Sequence, residues 1–295
     1  METLLITGAS SGLGLHTLNY LVNKNLRIIS LSRAVPSDIK SYPNIEYVQG
    51  DITNFATLQK DLWGATSVLH FAGLTHSSDR KKYYQVNAEG TSNLIKRAEN
   101  ANIKRFVYVS TQALGKEGGP YSHSKEIAER HLIKSSLKWT ILRPSEVYGL
   151  NLEGPVESLC RRIRSTNILP IIGDGQYTLN PLHIEDFAHF TTKLQTCSSK
   201  KSYYKIYQLA GPSPVSFESF CKEHARSQNH NLTVIHLPIF LSKLILYLSS
   251  KAKLTAITLD QIDRLRMIKN NDISLAASDY FFSPRKFSHA QNSSA

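Results

Sequence analysis

Cysteine is scarce in this chain. Cys160, Cys197 and Cys221 are scattered, with no C-x-x-C pair among them. That spacing excludes a disulfide framework and a cysteine-based zinc site; no metal is expected, and a reducing, cytoplasmic compartment is. Long apolar runs are missing as well. The most apolar stretch, Leu237–Leu248, is about twelve residues long, short of the ~20 that a bilayer crossing needs. Its plain reading is a helix packed on the later part of the fold. Its alternative is an interfacial anchor helped by Lys243, Lys251 and Lys253. Met1-Glu2-Thr3 lacks a basic n-region, so no signal peptide is expected. No internal repeat is visible. No arginine-rich arm or aromatic-interleaved basic strip appears, so nucleic acid is not an expected partner.

Positive charge, by contrast, is abundant. Lys and Arg total 35 against 23 Asp and Glu, a formal charge of +12. A dinucleotide, a nucleotide-linked sugar or an acidic surface would suit that balance. The length, 295 residues, accommodates one large α/β domain with a small appendage.

Strand and helix signals alternate from the start. Short apolar runs at 3–7, 26–31, 45–49, 67–71, 105–110 and 139–142 read as strands. Helical patterns fall at 12–23, 83–100 and 121–135. This alternation predicts a parallel, doubly wound α/β sheet of Rossmann type. Residues 1–150 are expected to form the dinucleotide-binding domain. Residues 151–285 are expected to form a mainly helical substrate lobe whose chain crosses back to the sheet. Within it, helices are predicted over 157–165, 186–195 and 217–227, and a strand over 204–209. The polar tail 286–295 is expected to be disordered.

The first strand runs into TGASSGLG, and the first helix opens inside it. Glycine there lets the backbone turn tightly and approach a pyrophosphate at the helix N-terminus. Gly8, Ser10, Ser11, Gly12, Leu13 and Gly14 are therefore candidate cofactor contacts. The second strand ends Ser30-Leu31-Ser32-Arg33, without the acid that would hold a ribose 2′-hydroxyl. Arg33 can instead pair with a 2′-phosphate, which favours NADP over NAD; its alternative is a solvated surface arginine. Asp51, followed by Ile52, can accept from the adenine amino group or cap a helix.

Tyr121 and Lys125 lie four apart and share one helix face. A lysine near the phenol is expected to lower its pKa and suit it to acid–base work near neutrality. Ser110-Thr111 ends the preceding strand, and Thr111 can donate to a substrate oxygen.

With these segments, the chain resembles the extended, nucleotide-sugar epimerase/dehydratase-like branch of the short-chain dehydrogenases/reductases. HFAG (His70 to Gly73), VNAEGTSNL (Val86 to Leu94), VYVST, YSHSK and LRPSEVYG each resemble a family segment. PIIGDGQYTLNPLHIEDFA (Pro170 to Ala188) and the closing FFSPRKF extend the match over most of the chain. The resemblance implies Tyr121 as acid/base, Lys125 on the nicotinamide ribose and Thr111 on the reacting oxygen. It implies Asn87 as holder of a relay water, with Phe71, Ala72 and Gly73 along the cofactor. Arg143, Pro144 and Ser145 would border the nicotinamide, and His183 and Asp186 would join the two lobes. A homodimer is a further expectation of the family. Three departures stand out. Ser11 replaces the middle glycine of the branch's usual turn. Leu179 stands where many nucleotide-sugar enzymes carry a diphosphate-binding arginine, a role open to Arg161, Arg162 or Arg266. Only nine residues separate Thr111 from Tyr121, and the lobe is trimmed.

Three functions follow as expectations. The first is an NADP-dependent reductase or epimerase of a nucleotide-linked sugar. The second applies the same chemistry to a hydrophobic, steroid-like or lipid-linked ketone or alcohol. The third is a non-catalytic NADPH-binding scaffold.

Overall fold

In this computed structural model the described residues are 2–10, 12–34, 42–59, 62–149, 155–197, 200–238, 240, 263–264 and 267–287. Ser11, Arg266 and most of the 237–248 segment lie outside them, as does most of the tail.

Seven strands form one parallel sheet. They are β1 (Glu2–Thr7), β2 (Leu26–Ser32), β3 (Ile45–Gln49), β4 (Ser67–His70), β5 (Arg105–Val109), β6 (Lys138–Pro144) and, further along the chain, β11 (Lys205–Leu209). Their order is β11-β6-β5-β4-β1-β2-β3. The order reverses between β1 and β4, and such a switch point opens a crevice at the carboxyl ends of the strands. Thr7 of β1 is in register with His70 of β4 at that crevice.

Alternation along the strands divides the core. Leu4, Ile6, Leu69, Val107 and Leu142 face one layer, packed against α1 (Gly12–Leu21) and α6 (Ile184–Thr196). Leu5, Val68, Phe106, Tyr108 and Ile141 face the other, packed against α3 (Thr91–Asn100) and α4 (Gly119–Ile133). Both faces of the central strands are covered, so β1, β4 and β5 are buried along nearly their whole length, as parallel strands commonly are, whereas the edge strand β3 is only partly buried.

The helix predicted over 83–100 is more elaborate than its periodicity suggests. It begins as α2 (Arg80–Tyr83), widens into a π-helical segment at Tyr84–Gly90, and resumes as α3. Asp79 caps it by accepting from the Lys81 amide. Such π segments commonly sit at functional sites, and this one carries Asn87.

Beyond β6 come β7 (Val147–Tyr148), α5 (Pro155–Arg164), β8 (Ile168–Ile172), β9 (Thr178–Leu179), β10 (Leu182–His183), β12 (Val215–Ser216), α7 (Phe217–Ser227) and β13 (Thr233–Leu237). The strands pair two by two, with β8 parallel to β13. Tyr148, Ile163, Leu169, Ile171, Leu179, Phe220 and Ala225 form a separate core here. A last helix, α8 (Ser274–Tyr280), returns to the sheet. There Asp279 accepts from Lys205 at 2.6 Å and Tyr207 at 2.7 Å.

Candidate active site

The glycine turn is tight enough to exclude any side chain at two positions. A Cβ on Gly8, whose φ is +73°, would lie 2.5 Å from the Ala72 nitrogen. A Cβ on Gly14 would lie 2.2 Å from the Gly8 carbonyl oxygen. The start of α1 is thus pressed onto the strand end, backbone against backbone. Gly12, at φ +56°, opens α1, Leu13 is half-buried, and Ser10 is exposed beside the turn. Arg33 is exposed at the end of β2. Asp51 accepts from the Thr53 amide and hydroxyl, both at 2.8 Å, and so braces its own turn. Ile52 is buried against Gly90.

Across the crevice, His70 is fully buried between two hydroxyls. Its ring nitrogens bond Thr7 at 2.6 Å and Thr91 at 2.9 Å, and its ring stacks on Tyr108. Burial, with a smaller push from Lys125, brings its pKa down to about 3, so it is neutral at ordinary pH. Phe71 packs edge-on against Phe187, and Ala72 donates to Thr7. A Cβ on Gly73 would lie 3.2 Å from the Asn87 Oδ1 and 3.7 Å from the Lys125 Nζ. Gly73, Asn87 and Lys125 therefore meet at one point. Asn87 clamps the loop after β4: its Oδ1 accepts from the Leu74 amide at 2.7 Å, and its Nδ2 donates to the Leu74 carbonyl and the Ser124 hydroxyl, both at 3.0 Å.

Helix α4 carries the tyrosine and lysine. Pro120 sits in its first turn, where a missing N–H costs nothing. Its buried face is unusually polar, with Ser122, Ser124, Lys125 and Glu129 beside Ala128 and Leu132. Each of these charges has a partner. Lys125 donates to the Val109 carbonyl at 2.8 Å and lies 4.3 Å over the Tyr108 ring. Glu129 accepts a two-pronged bond from Arg143 of β6, at 3.0 and 2.5 Å. Burial brings the Lys125 amine down to about 7, with Glu129 opposing. Tyr121 lies edge-on to the buried Tyr83 ring.

The expected electrostatics need correcting here. Tyr121 is not lowered by Lys125. Burial dominates and raises the phenol above its ordinary value; the charge of Arg264 and hydrogen bonding by Thr111 pull the other way. Lys125 points at a backbone carbonyl, and desolvation has weakened its own charge. Arg264, which the sequence did not single out, stands 4.4 Å from the Tyr121 ring centre.

The segment after β6 serves as a joint. Pro144 is buried opposite Leu209, and the Ser145 hydroxyl donates to the Asn180 carbonyl at 2.6 Å. Arg143 turns to Glu129 on α4. Leu179 is buried in the lobe core, and its neighbour Asn180 accepts from Asn271 at 2.8 Å. Arg161 and Arg162 are exposed on α5. His183 caps α6 by accepting from the Glu185 amide, and Asp186 grips the backbone and side chain of Arg285 in the closing motif. The buried Ser110 hydroxyl, at the crevice end of β5, has no hydrogen-bond partner among the described residues. Among those residues there is also no cluster of metal ligands and no helix long and apolar enough to cross a membrane.

A family model described as NAD(P)H-binding matches residues 8–155, from the glycine turn through the joint. The chain belongs to that family. Within it, the chain is an enzyme of the extended short-chain dehydrogenase/reductase type. A UDP-glucose 4-epimerase of Vibrio cholerae is 26% identical over 300 residues, covering 92% of this chain and 88% of the relative. A 3-beta-hydroxysteroid dehydrogenase of Mycolicibacterium neoaurum is 23% identical over 214 residues, 63% of this chain and 58% of the relative. The chain thus spans little more than half of that second protein. Among solved structures, a UDP-glucuronic acid 4-epimerase from Bacillus cereus, in complex with UDP-glucuronic acid and NAD, superposes with a TM-score of 0.76. It is 18% identical, over 98% of this chain and 96% of that one. At that identity the likeness establishes the shared fold.

Proposed function

We propose that this extended short-chain dehydrogenase/reductase is an NADP-dependent reductase or epimerase of a nucleotide-linked sugar, with net reduction of a 4-keto group as the favoured direction. One observation carries the chemistry: Tyr121 and Lys125 stand one turn apart on α4, with Thr111, which helps to hold the phenol pKa down, just past the carboxyl end of β5. When bound, the nicotinamide would supply the hydride. Tyr121 would deliver the proton to the substrate oxygen from its phenol. A raised phenol pKa keeps that proton in place at neutral pH, as a reductase requires. Thr111 would orient the oxygen. Lys125, fixed between the Val109 carbonyl and Gly73, would hold the ribose side of the cofactor. Gly8, Gly12 and Gly14 would receive the pyrophosphate, and Arg33 would meet a 2′-phosphate. The net charge and the epimerase relative support the sugar class.

Leu179 favours a second reading. It is apolar and buried where an arginine would grip a diphosphate, and one relative is a steroid dehydrogenase. A hydrophobic ketone or a lipid-linked sugar would suit that wall better.

The test measures oxidation of NADPH and NADH with 4-keto nucleotide sugars in one arm and steroid or lipid-linked ketones in the other. Turnover in the first arm is expected, with a fall of about 10²–10⁴-fold in kcat for Tyr121→Phe and unchanged cofactor binding. Turnover only in the second arm would transfer the assignment to the hydrophobic class. Binding of NADPH without turnover in either arm would leave the scaffold.

A further inference from the structure

We propose that Arg264 is a positioning residue of this reaction, a cation that the C-terminal segment holds against the face of the Tyr121 phenol to stabilise its ionised form. The proposal rests on the reading of Tyr121 as the acid/base.

The contact is specific in place. The guanidinium carbon is 4.4 Å from the ring centre, well inside the reach of a cation–π interaction. The chain that brings it there is fastened at three points. Met267 packs against Gly118 in the turn before α4, so closely that a Cβ on Gly118 would lie 2.4 Å from its sulfur. Lys269 is paired with Glu146, just past the joint at Ser145. Asn271 donates to Asn180. The ties reach the turn before α4, the joint after β6 and Asn180 beyond β9, so the segment that carries Arg264 is held to both the sheet half and the lobe.

The groups around the phenol give the cation its importance. Tyr83 presents an uncharged ring edge from α2, and Thr111 a hydroxyl from the loop after β5. From β5, Tyr108 is buried and held well above its ordinary pKa, chiefly by desolvation, so it stays neutral. Lys125, one turn away on the same helix, spends its amine on the Val109 carbonyl. Glu129 lies a further turn along α4 and is matched by Arg143. A guanidinium keeps its charge at any working pH, so Arg264 supplies the lasting positive field at the phenol. Removing that charge should make the phenol harder to ionise.

The phenol can be titrated without turnover. The protein is labelled with fluorotyrosine, and the Tyr121 fluorine resonance is assigned by its loss in Tyr121→Phe. Arg264→Gln and Arg264→Met should each raise the Tyr121 midpoint by about 0.5–1 pH unit. Arg264→Lys should restore most of the wild-type value. An unchanged midpoint in both neutral variants overturns the proposal. If Tyr121→Phe instead keeps full turnover, the catalytic reading falls on its own, and the titration still reports whether the cation acts on the phenol.

Discussion

In the cofactor half, backbone meets backbone: the Gly14 helix start rests on the Gly8 carbonyl, and Gly8 rests on the Ala72 amide. The buried polar groups there are mostly uncharged, as in the Thr7–His70–Thr91 relay. Besides the buried Arg143–Glu129 pair of the cofactor half, charged side chains fasten the later part of the chain to the rest: Arg285 to Asp186 and Glu185, Lys205 to Asp279, and Lys269 to Glu146. Close backbone packing tolerates no variation in shape but is indifferent to salt. Ion pairs allow small movements of the lobe and respond to solution conditions.

The sharpest break in this contrast is Gly14→Ala. A methyl 2.2 Å from a backbone oxygen has nowhere to go. The cost should be on the order of 4 kcal/mol in urea unfolding, with loss of dinucleotide binding by calorimetry. A variant that unfolds like wild type would show the turn to be adaptable.

A pH scan of stability probes the uncharged relay. Burial and then Lys125 hold His70 near a pKa of about 3, against an ordinary 6.5. Below 6.5 the unfolded chain takes up a proton that the native ring refuses. The contribution is therefore intact above pH 6.5 and is lost as pH falls toward 3. Between pH 7 and 4.5 the loss should approach about 2–3 kcal/mol. His70→Gln should flatten that part of the profile relative to wild type, and parallel profiles would exclude His70 as its source.

The smallest effect belongs to the lobe. Arg285→Met removes a partly exposed pair, with Arg285 and Asp186 side chains 32% and 13% accessible. A loss of about 1 kcal/mol is expected, shrinking in high salt. The Gly14→Ala deficit should be the same at both ionic strengths. Equal salt dependence of the two would erase the distinction.

Much of this was legible in the sequence. Gly8, Gly12 and Gly14 lie within one turn, and Tyr121 and Lys125 within another, so local spacing reveals them. The strand runs of the sheet are short and mostly apolar, and their observed limits differ from the expected ones by one or two residues. The π-helical stretch at Tyr84–Gly90 left no trace, because its flanking apolar positions continue a helical pattern. Strands β8 and β13 were also missed: β8 contains Pro170, and its partner lies past two helices, α6 and α7. Arg264 is the clearest omission. Its contact with Tyr121 depends on the whole lobe folding back, which no spacing rule records. The expectation about Lys125 failed for a related reason. Sequence placed the amine near the phenol but could not show that the Val109 carbonyl would claim it.

The position of β11 at the sheet edge has a consequence for how the molecule is made. Its neighbour β6 ends at Pro144, whereas β11 begins at Lys205. A ribosome adding about 5–20 residues per second takes roughly 3–12 s to cover that interval. Throughout it, β6 has an unpaired edge with apolar side chains on both faces, the kind of strand that invites association with other chains. The newborn protein must therefore pass through a vulnerable interval that the finished enzyme never revisits, and a chaperone would have the most to protect there.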